Sequence, residues 1–214
     1  MSIPILEKQD RRMQLLKVAE RLFAKNGYEA VSIRQLASEA GMNVAMVSYY
    51  FGSKEKLFEA LLENKLPKTR AQLENIAKTD LSPWEKISRT IELYVEKFFE
   101  GRDFHRVMTR EMSLRQRPEH VKLITHHMAR NMEVVRGFIL EGQEKGMFRP
   151  VDVELTITTI FATISTAISN TGLMCMMLRA ETEEQLYTEH NKNRIINHVK
   201  SVMQAHLLLP GVSV

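Results

Sequence analysis

The sequence predicts an all-α fold, with a small N-terminal helical domain followed by a larger C-terminal helical bundle. Apolar residues recur every three or four positions along most of the 214 residues, and no stretch alternates as a half-buried strand does. Many of these stretches start at a capping residue and stop at a glycine, as helices do. Residues 32–57, SIRQLASEAGMNVAMVSYYFGSKEKL, contain both signals within a short distance. They predict two short helices joined by a tight turn, with another helix starting directly after them.

The N-terminal domain is predicted to contain three helices. The first covers residues 8–25, and its buried stripe consists of Leu16, Ala19, Leu22 and Phe23. Ser32 caps the second helix, and Gly41 supplies the turn that follows it. Asn43 caps the third helix, which ends because Gly52 follows. A helix, a turn containing glycine and a second helix form the helix-turn-helix, whose second helix enters the major groove of DNA.

The exposed face of the third helix follows from a rotation of about 100° per residue. With Val47 at the centre of the buried face, Phe51 and Val44 lie beside it. The residues that point away are Ala45, Met46 and Tyr49, with Ser48 and Tyr50 on the flanks. A short exposed face with two tyrosines and a methionine is expected to be covered. Either DNA or another helix of the chain can cover it, and the turn chemistry favours DNA.

The segment from Ser32 to Leu57 resembles the DNA-binding domain of the TetR family of bacterial transcriptional regulators. That family shows a Thr/Ser–x–Arg start, an Ala-Gly hinge and an aromatic recognition helix ending in F-x-x-K-E-x-L. This chain has Ser32, Arg34, Ala40, Gly41 and the run YYFGSKEKL over residues 49–57. The resemblance extends over about residues 10–62, because RRMQLLKVAERLFAKNGYEAVSI is similar to the first helix of the family. At residues 47–48 the chain has Val-Ser where the family commonly has Leu-Tyr, and a serine reaches less far.

The resemblance implies a role for each residue around the turn. Ser32, Ile33 and Arg34 would lie against the sugar-phosphate backbone, with Arg34 able to reach a base edge. The residues that would face the groove floor are Asn43, Val44, Ala45, Met46 and Ser48. Those that would hold phosphates are Tyr49, Tyr50 and Lys54. The implied partner is double-stranded DNA with a palindromic operator.

Base reading by the third helix is predicted to be largely apolar. Only Asn43 and Ser48 can hydrogen-bond to bases, whereas Ala45 and Met46 can contact thymine methyl groups. We therefore expect an operator with T-containing steps and a dependence on DNA shape.

The chain order predicts three parts: residues 1–52 for DNA binding, 53–78 as a connecting helix and 79–214 as a regulatory domain. Pro67 is expected to kink or end the connecting helix. The regulatory domain begins with a strong helix start at residues 82–85, Ser-Pro-Trp-Glu. Further helices are predicted to reach about residue 99 and to cover residues 104–115 and 119–145.

The stretch from Leu155 to Leu178 contains no charged residue. A membrane span needs about 20 mostly apolar residues, but many positions here are Ser, Thr or Asn, and no positive flank sets an orientation. We therefore predict no membrane span but one long helix that is mostly buried. Its small residues recur at steps of three and four and allow another helix to approach closely: Ala162, Ser165, Ser169 and Gly172.

The last helix is predicted to start from a capping box at residues 182–185. One of its faces consists of Ile195, Val199, Val202 and His206. Two long helices with such faces suit a four-helix interface with a second copy, and TetR-like proteins dimerise in this way. The alternative is that both helices pack inside one subunit. We predict a homodimer, because two recognition helices must reach half-sites about 34–36 Å apart.

If the resemblance extends to the C-terminal domain, that domain binds an unknown small-molecule effector. The chain has 13 methionines, whose flexible thioethers suit adaptable apolar pockets and ordinary cores alike. The candidate ligand-binding residues are Phe98, Phe104, Met108, Met112, Met128, Met132, Phe138, Phe161, Met174 and Met177. The prediction is a repressor that a largely apolar effector releases from its operator. The alternative is a DNA-binding factor controlled by a protein partner or by no ligand, whose C-terminal domain only dimerises.

Other chemistry has little support in the sequence. His120 and His127 share a helix face but lack the further ligands that a metal site needs. Cys175 has no cationic neighbour in the sequence to activate its thiol. Because the sequence contains no phosphate-binding glycine loop and no nucleophile motif, we predict neither an enzyme nor a cofactor. The single cysteine and the absence of an export signal predict a cytoplasmic protein. The net charge of +4 is compatible with a nucleic-acid partner but is not diagnostic of one.

Overall fold

The computed structural model describes residues 5–211. Residues 1–4 and 212–214, at the outer ends of the predicted domains, lie outside the described residues. Within residues 5–211 the regular structure is helical, apart from an isolated bridge between Phe148 and Leu208. The all-α prediction is confirmed. The helices are α1 (Ile5–Asn26), α2 (Ile33–Glu39), α3 (Val44–Phe51), α4 (Lys54–Ala77), α5 (Pro83–Glu100), α6 (Arg102–Leu114), α7 (Pro118–Glu144), α8 (Val153–Ser169), α9 (Thr171–Leu178), α10 (Glu183–Leu186) and α11 (Glu189–Leu207).

The described chain forms two compact units. The first unit runs to Lys68 and also includes Asp103–His126, and the second comprises Thr69–Arg102 and the chain from His127 onward. Helices α4 and α7 therefore each continue from one unit into the other. In the structure, α6 and the start of α7 pack with the N-terminal helices. The division predicted from chain order instead placed its boundaries between successive helices. Those chain-order limits stay a prediction.

Aromatic and aliphatic side chains form the core of the first unit. The ring of Phe23 lies 5.5 Å from that of Phe58 and 5.3 Å from that of Tyr28, measured between centroids. Large side chains that are fully buried in this unit include Leu15, Leu16, Leu36, Leu57, Leu61, Leu62 and Ile124. Burial of one such side chain stabilises the fold by about 1.5–3 kcal/mol. The short helices α2 and α3 are therefore held by packing more than by their intrinsic propensity.

The second unit is built around α5, α8 and α11, which pack against one another. The predicted start of α5 is confirmed: Ser82 Oγ accepts a hydrogen bond from Glu85 N at 3.2 Å, and Glu85 Oε2 accepts one from Ser82 N at 2.7 Å. The core of this unit includes Trp84, Ile87, Ile91, Val135, Ile139, Ile157, Ile160, Ile164 and Val199.

The helices around α4 and α8 differ in part from the prediction. Pro67 lies inside α4 and does not end it, with the buried Leu66 and Leu73 on either side of the proline. The kink, which was the other expected effect of Pro67, stays a prediction. The apolar stretch from 155 to 178 is two helices, because Asn170 Oδ1 caps a new helix by accepting a hydrogen bond from Leu173 N at 3.4 Å. The final helix is divided in the same way, since Thr188 Oγ1 caps α11 after the single turn of α10.

Among the described residues, none of the helices taken alone combines the length and the apolar composition of a membrane span. Val153–Ala167 and Thr171–Leu178 reach that length and composition only as a pair, with a bend of 83° between them.

Candidate nucleic-acid interface

The turn between α2 and α3 is closed by backbone hydrogen bonds and supported by α1. Met42 N donates to Ala37 O at 2.9 Å. Gly41 has a φ of +62°, a left-handed conformation that glycine adopts without steric cost. The side chain of Gln14 donates from Nε2 to Ala40 O at 3.0 Å and so satisfies a carbonyl at the end of α2. The predicted helix, glycine turn and helix are all present.

Side-chain caps begin both helices of the motif, as predicted. Ser32 Oγ accepts a hydrogen bond from Gln35 N at 3.1 Å, and Asn43 Oδ1 accepts one from Met46 N at 2.9 Å. Each cap satisfies a backbone N–H that the helix leaves unpaired. One lone pair of the Asn43 carbonyl oxygen is therefore used by the cap, and its NH₂ group is available to donate to a base edge.

Most of the residues predicted to contact DNA are accessible on the first unit. The exposed ones are Ser32, Arg34, Asn43, Val44, Ala45, Ser48 and Tyr49, and the half-buried ones are Ile33, Met46, Tyr50 and Lys54. The helical wheel misplaced Val44, which is 42% exposed although it lies beside the 1% exposed Val47 in projection. Val44 is the first residue of α3, one turn before Val47, and the buried residues of this helix are Val47 and Phe51.

The two tyrosines of α3 differ in what their hydroxyl groups can reach. Tyr49 is 67% exposed, and its ring meets that of Tyr50 edge-on at 5.4 Å. The hydroxyl oxygen of Tyr50 is buried and has no hydrogen-bond partner among the described residues. Tyr49 is therefore the one whose hydroxyl faces outward in this conformation.

Lys54 is engaged inside the unit. Its Nζ donates to Tyr28 O at 2.9 Å and to Val31 O at 3.0 Å, and it lies 4.1 Å from the centroid of the Tyr28 ring. Burial lowers the pKa of Lys54, against the opposing effect of Glu29. This ammonium holds the turn that leads to the Ser32 cap. Its predicted contact with a phosphate would use the N–H that remains.

Comparison with known proteins agrees with this geometry. The family model for bacterial regulatory proteins of the TetR family matches residues 15–61, and the model for tetracyclin repressor-like C-terminal domains matches residues 80–169. The transcriptional repressor NicS of Pseudomonas putida is 32% identical over 148 residues, which make up 67% of this chain and 68% of that protein. The chain belongs to the TetR family. This TetR-family protein is a DNA-binding transcriptional regulator and not an enzyme.

Solved structures of other transcriptional regulators share the fold. The ketosteroid transcriptional regulator KstR2 of Mycobacterium tuberculosis has a TM-score of 0.70 at 20% identity, covering 93% of this chain and 95% of that one. The regulator FadR of Bacillus subtilis, solved in complex with stearoyl-CoA, has a TM-score of 0.66 at 21% identity, covering 88% and 97%. At these identities the likeness concerns the fold.

A buried ionic cluster, formed by Glu111, Arg117 and His120, links α6 to the start of α7 in this TetR-family regulator. Arg117 donates to Glu111 twice, from Nη2 at 2.8 Å and from Nε at 3.0 Å, and also pairs with Glu29. Glu111 Oε2 lies 3.2 Å from His120 Nδ1. Burial alone would raise the pKa of Glu111, but the hydrogen bonds from His120 and Arg117 outweigh it and lower this pKa to about 2.

The ring of Tyr28 connects this cluster to the turn before α2. The guanidinium carbon of Arg117 lies 4.2 Å from the ring centroid, close to the 4.1 Å of Lys54 Nζ. His120 meets Tyr28 edge-on at 5.5 Å and stacks on Phe58 at 4.4 Å. The sequence did not predict that Tyr28 connects Arg117 and His120 to the turn before α2, because these residues lie far apart in the chain. It considered His120 only as a metal ligand, and the residue is instead buried and bonded to Glu111.

The residues predicted to bind an effector fall into both units. Phe104, Met108 and Met112 belong to the first unit, and Phe98, Met128, Met132, Phe138, Phe161, Met174 and Met177 belong to the second. Phe138 is 3% exposed and part of the core, whereas Met177 is 67% exposed. Phe161 packs edge-on against Tyr94 at 4.4 Å.

Burial raises the pKa of Tyr94, against the opposing effect of a hydrogen bond with Asn131.

The residues predicted to form the dimer interface also divide. Ile195 and Val199 are 8% and 1% exposed and lie in the core of the second unit, so they pack mainly against their own chain. A side chain that is covered by its own chain offers no area to a second subunit. The others are exposed or half-exposed and stay candidates: Ala162, Ser165, Ser169, Gly172, Val202 and His206.

Within the described residues, no group of three or more His, Cys, Asp or Glu side chains is arranged to hold a metal ion. Cys175 is half-buried, and its Sγ donates to Thr182 O at 3.7 Å.

Proposed function

We propose that this regulator is a homodimeric repressor that leaves its operator when a small, largely apolar effector binds its C-terminal domain. The observation that carries the proposal is the membership of α6 and the start of α7 in the same compact unit as the reading helices. If α6 and the start of α7 shift, the helices packed with them in this unit, including α2 and α3, are expected to shift as well.

A chain of contacts runs from the start of α7 to the reading helices. Arg117 packs on the ring of Tyr28, whose carbonyl oxygen accepts a hydrogen bond from Lys54. Lys54 also binds Val31 O, directly before the Ser32 cap of α2. Because α4 and α7 both continue into the second unit, an effector in that unit can alter both ends of this chain of contacts. It does so only if it binds the two arrangements with different affinity.

The homodimer is supported by apolar side chains exposed on the second unit. They include Leu155, Leu173, Met176, Met177 and Val202, on α8, α9 and α11. Leu173, Met176 and Met177 lie within five residues of one another on α9, and apolar side chains that are exposed together in this way are expected to meet a partner. A second copy on this surface also provides the two reading heads that a palindromic operator in the cytoplasm requires.

The apolar character of the effector is supported by the chain and by its relatives. The second unit contains Phe98, Phe99, Met132 and Phe161 as half-buried side chains against its core. One structural relative was solved with stearoyl-CoA, and another is a ketosteroid regulator. The first of these ligands carries a long apolar acyl chain, and the name of the second protein refers to an apolar class of molecules.

Selection of bound sequences from a random duplex pool tests the DNA part of the proposal. We expect a palindrome with half-sites about one helical turn apart and T-containing steps facing α3. Sedimentation of the complex should show two chains per duplex. Half-sites dominated by G at the groove centre would contradict the apolar reading by Ala45 and Met46.

Fluorescence anisotropy of the selected duplex then tests the effector. Stearoyl-CoA and a 3-ketosteroid are the probes, and free coenzyme A is the polar control. We expect at least one apolar probe to weaken DNA binding about tenfold or more, as typical coupling energies allow. If neither probe changes DNA affinity or thermal stability, the alternative of control by a protein partner, or by no ligand, gains support.

A further inference from the structure

We propose that Lys8, at the start of α1, is a DNA-backbone contact that acts together with Tyr49 of the recognition helix. None of the residues assigned to the interface above lies on α1. The inference rests on DNA binding and does not depend on the effector or on repression.

Lys8 and Tyr49 are joined by a contact that only the tertiary structure creates. Lys8 Nζ donates to Tyr49 Oη at 3.1 Å and lies 4.8 Å from the centroid of its ring. Both side chains are exposed. An ammonium group has three N–H donors, and this hydrogen bond uses one of them.

Arg12, one turn after Lys8 along α1, anchors this part of the helix to the recognition helix. Its guanidinium carbon lies 4.9 Å from the centroid of the Phe51 ring, and Phe51 is 7% exposed. A cation placed over an aromatic ring is attracted by it. The start of α1 is therefore held beside the second turn of α3, and Lys8 keeps a defined position next to Tyr49.

This position suits a phosphate. In a helix-turn-helix, the first residues of the recognition helix contact base edges, and the backbone strands form the walls of the groove. Tyr49 lies in the second turn of α3, beyond the first residues of the helix, so a wall of the groove is the part of the DNA expected beside it. When Lys8 donates to Tyr49 Oη, the phenol proton is left free to donate elsewhere. The phenol O–H and a remaining ammonium N–H can then bind the same phosphate, and hydrogen bonds between charged groups are the stronger ones.

The test compares Lys8→Met with Lys17→Met. Methionine keeps the apolar stem of lysine and removes the charge. Lys17 is an exposed lysine of the same helix, and nine residues at about 100° each place it on the opposite side of α1. The logarithm of the binding constant for the selected duplex is measured against the logarithm of salt concentration. Each lost phosphate contact lowers the magnitude of that slope by about 0.9.

We expect Lys8→Met to reduce the slope by about 0.9 for each bound subunit, with Lys8→Arg close to wild type and Lys17→Met unchanged. Tyr49→Phe should weaken binding, and the combination with Lys8→Met should cost less than the sum of the two. Melting temperatures of all variants, measured in parallel, test whether each variant is folded. Lys8→Gln is a second variant that removes the charge, and it should reduce the slope as Lys8→Met does. An unchanged slope for Lys8→Met, or an equal loss for Lys17→Met, would overturn the proposal. Failure of the wild type to bind any selected duplex would overturn DNA binding itself, and with it this inference.

Discussion

The guanidinium of Arg117 faces the carboxylate of Glu111 with two parallel hydrogen bonds, Nη2 to Oε1 at 2.8 Å and Nε to Oε2 at 3.0 Å. The side chain of Glu111 is 4% exposed and that of Arg117 13%. Two-point pairs of this kind fix orientation as well as distance. The pair therefore sets how the end of α6 and the start of α7 lie in the unit that reads DNA.

Replacing Glu111 with Gln should destabilise the protein strongly. Breaking one side of a buried ion pair leaves the other charge without compensation and costs about 3–5 kcal/mol. Because Arg117 keeps its contact with Glu29, we expect a loss of about 2–3 kcal/mol in the free energy of unfolding, measured in urea. Glu63→Gln, at an exposed position of α4, is the matched control and should change it by less than about 0.5 kcal/mol. A Glu111→Gln variant as stable as this control would contradict the prediction.

The free energy of unfolding should decrease as the pH is lowered, in two separate pH ranges. Burial lowers the pKa of His105 from 6.5 to about 4, so its contribution is present above pH 6.5 and is lost as the pH falls to about 4. The folded pKa of Glu111 is about 2, below its ordinary value of 4.5, so its contribution is lost between about pH 4.5 and 2. Urea unfolding of wild type, His105→Asn and Glu111→Gln across this range separates the windows. Each variant should flatten its own window, and a wild-type curve that is flat from pH 6.5 to 4 would exclude the role of His105.

Asn43 allows helix capping to be separated from DNA contact. Asn43→Asp keeps a side-chain oxygen for Met46 N, and a negative charge is favourable at a helix start, so stability should stay within about 0.5 kcal/mol. The variant loses the NH₂ group and places a carboxylate against DNA, so affinity should drop by at least about tenfold. Asn43→Ala should lose about 1 kcal/mol of stability as well. Wild-type affinity for Asn43→Asp would mean that the side chain of Asn43 does not face the DNA.

Two glycines of α7 should respond in opposite ways to alanine. A Cβ on Gly142 would overlap the ring of Phe148, which is 2% exposed, whereas a Cβ on Gly137 meets no atom within 4 Å. We expect Gly142→Ala to lower the free energy of unfolding by at least about 1–3 kcal/mol through overpacking. Gly137→Ala should raise it by about 0.5–1 kcal/mol, because alanine favours the helix. Equal effects of the two substitutions would contradict the close packing of Phe148.

The start and end of the reading helices could be predicted from the sequence because their stabilising groups are local. Ser32 and Asn43 accept hydrogen bonds from backbone groups three residues later, and Gly41 adopts a conformation that its own lack of a side chain permits. The same holds for the start of α5 at Ser82. The sequence pattern gave the wrong result at Asn170. The uncharged stretch was predicted to be one helix, but the side chain of Asn170 caps a second helix there.

Burial was harder to predict than helix position. The helical period predicts which residues of α3 and α11 share a face. It does not predict how far along each helix the neighbouring helices cover that face. Val44 is exposed for this reason, and Ile195 and Val199 are covered by their own chain.

The sequence by itself determined an all-α protein, a helix-turn-helix with its caps and glycine turn, and the TetR family, because each depends on residues close together in the chain. Only the tertiary structure decided which distant side chains meet. Lys8 and Tyr49 are 41 positions apart, and Arg117 is 88 positions from its partner Glu29. A hydrogen bond within one turn is dictated by local backbone geometry. A contact across the fold depends on how the apolar faces of several helices pack, and no single segment of the sequence specifies that.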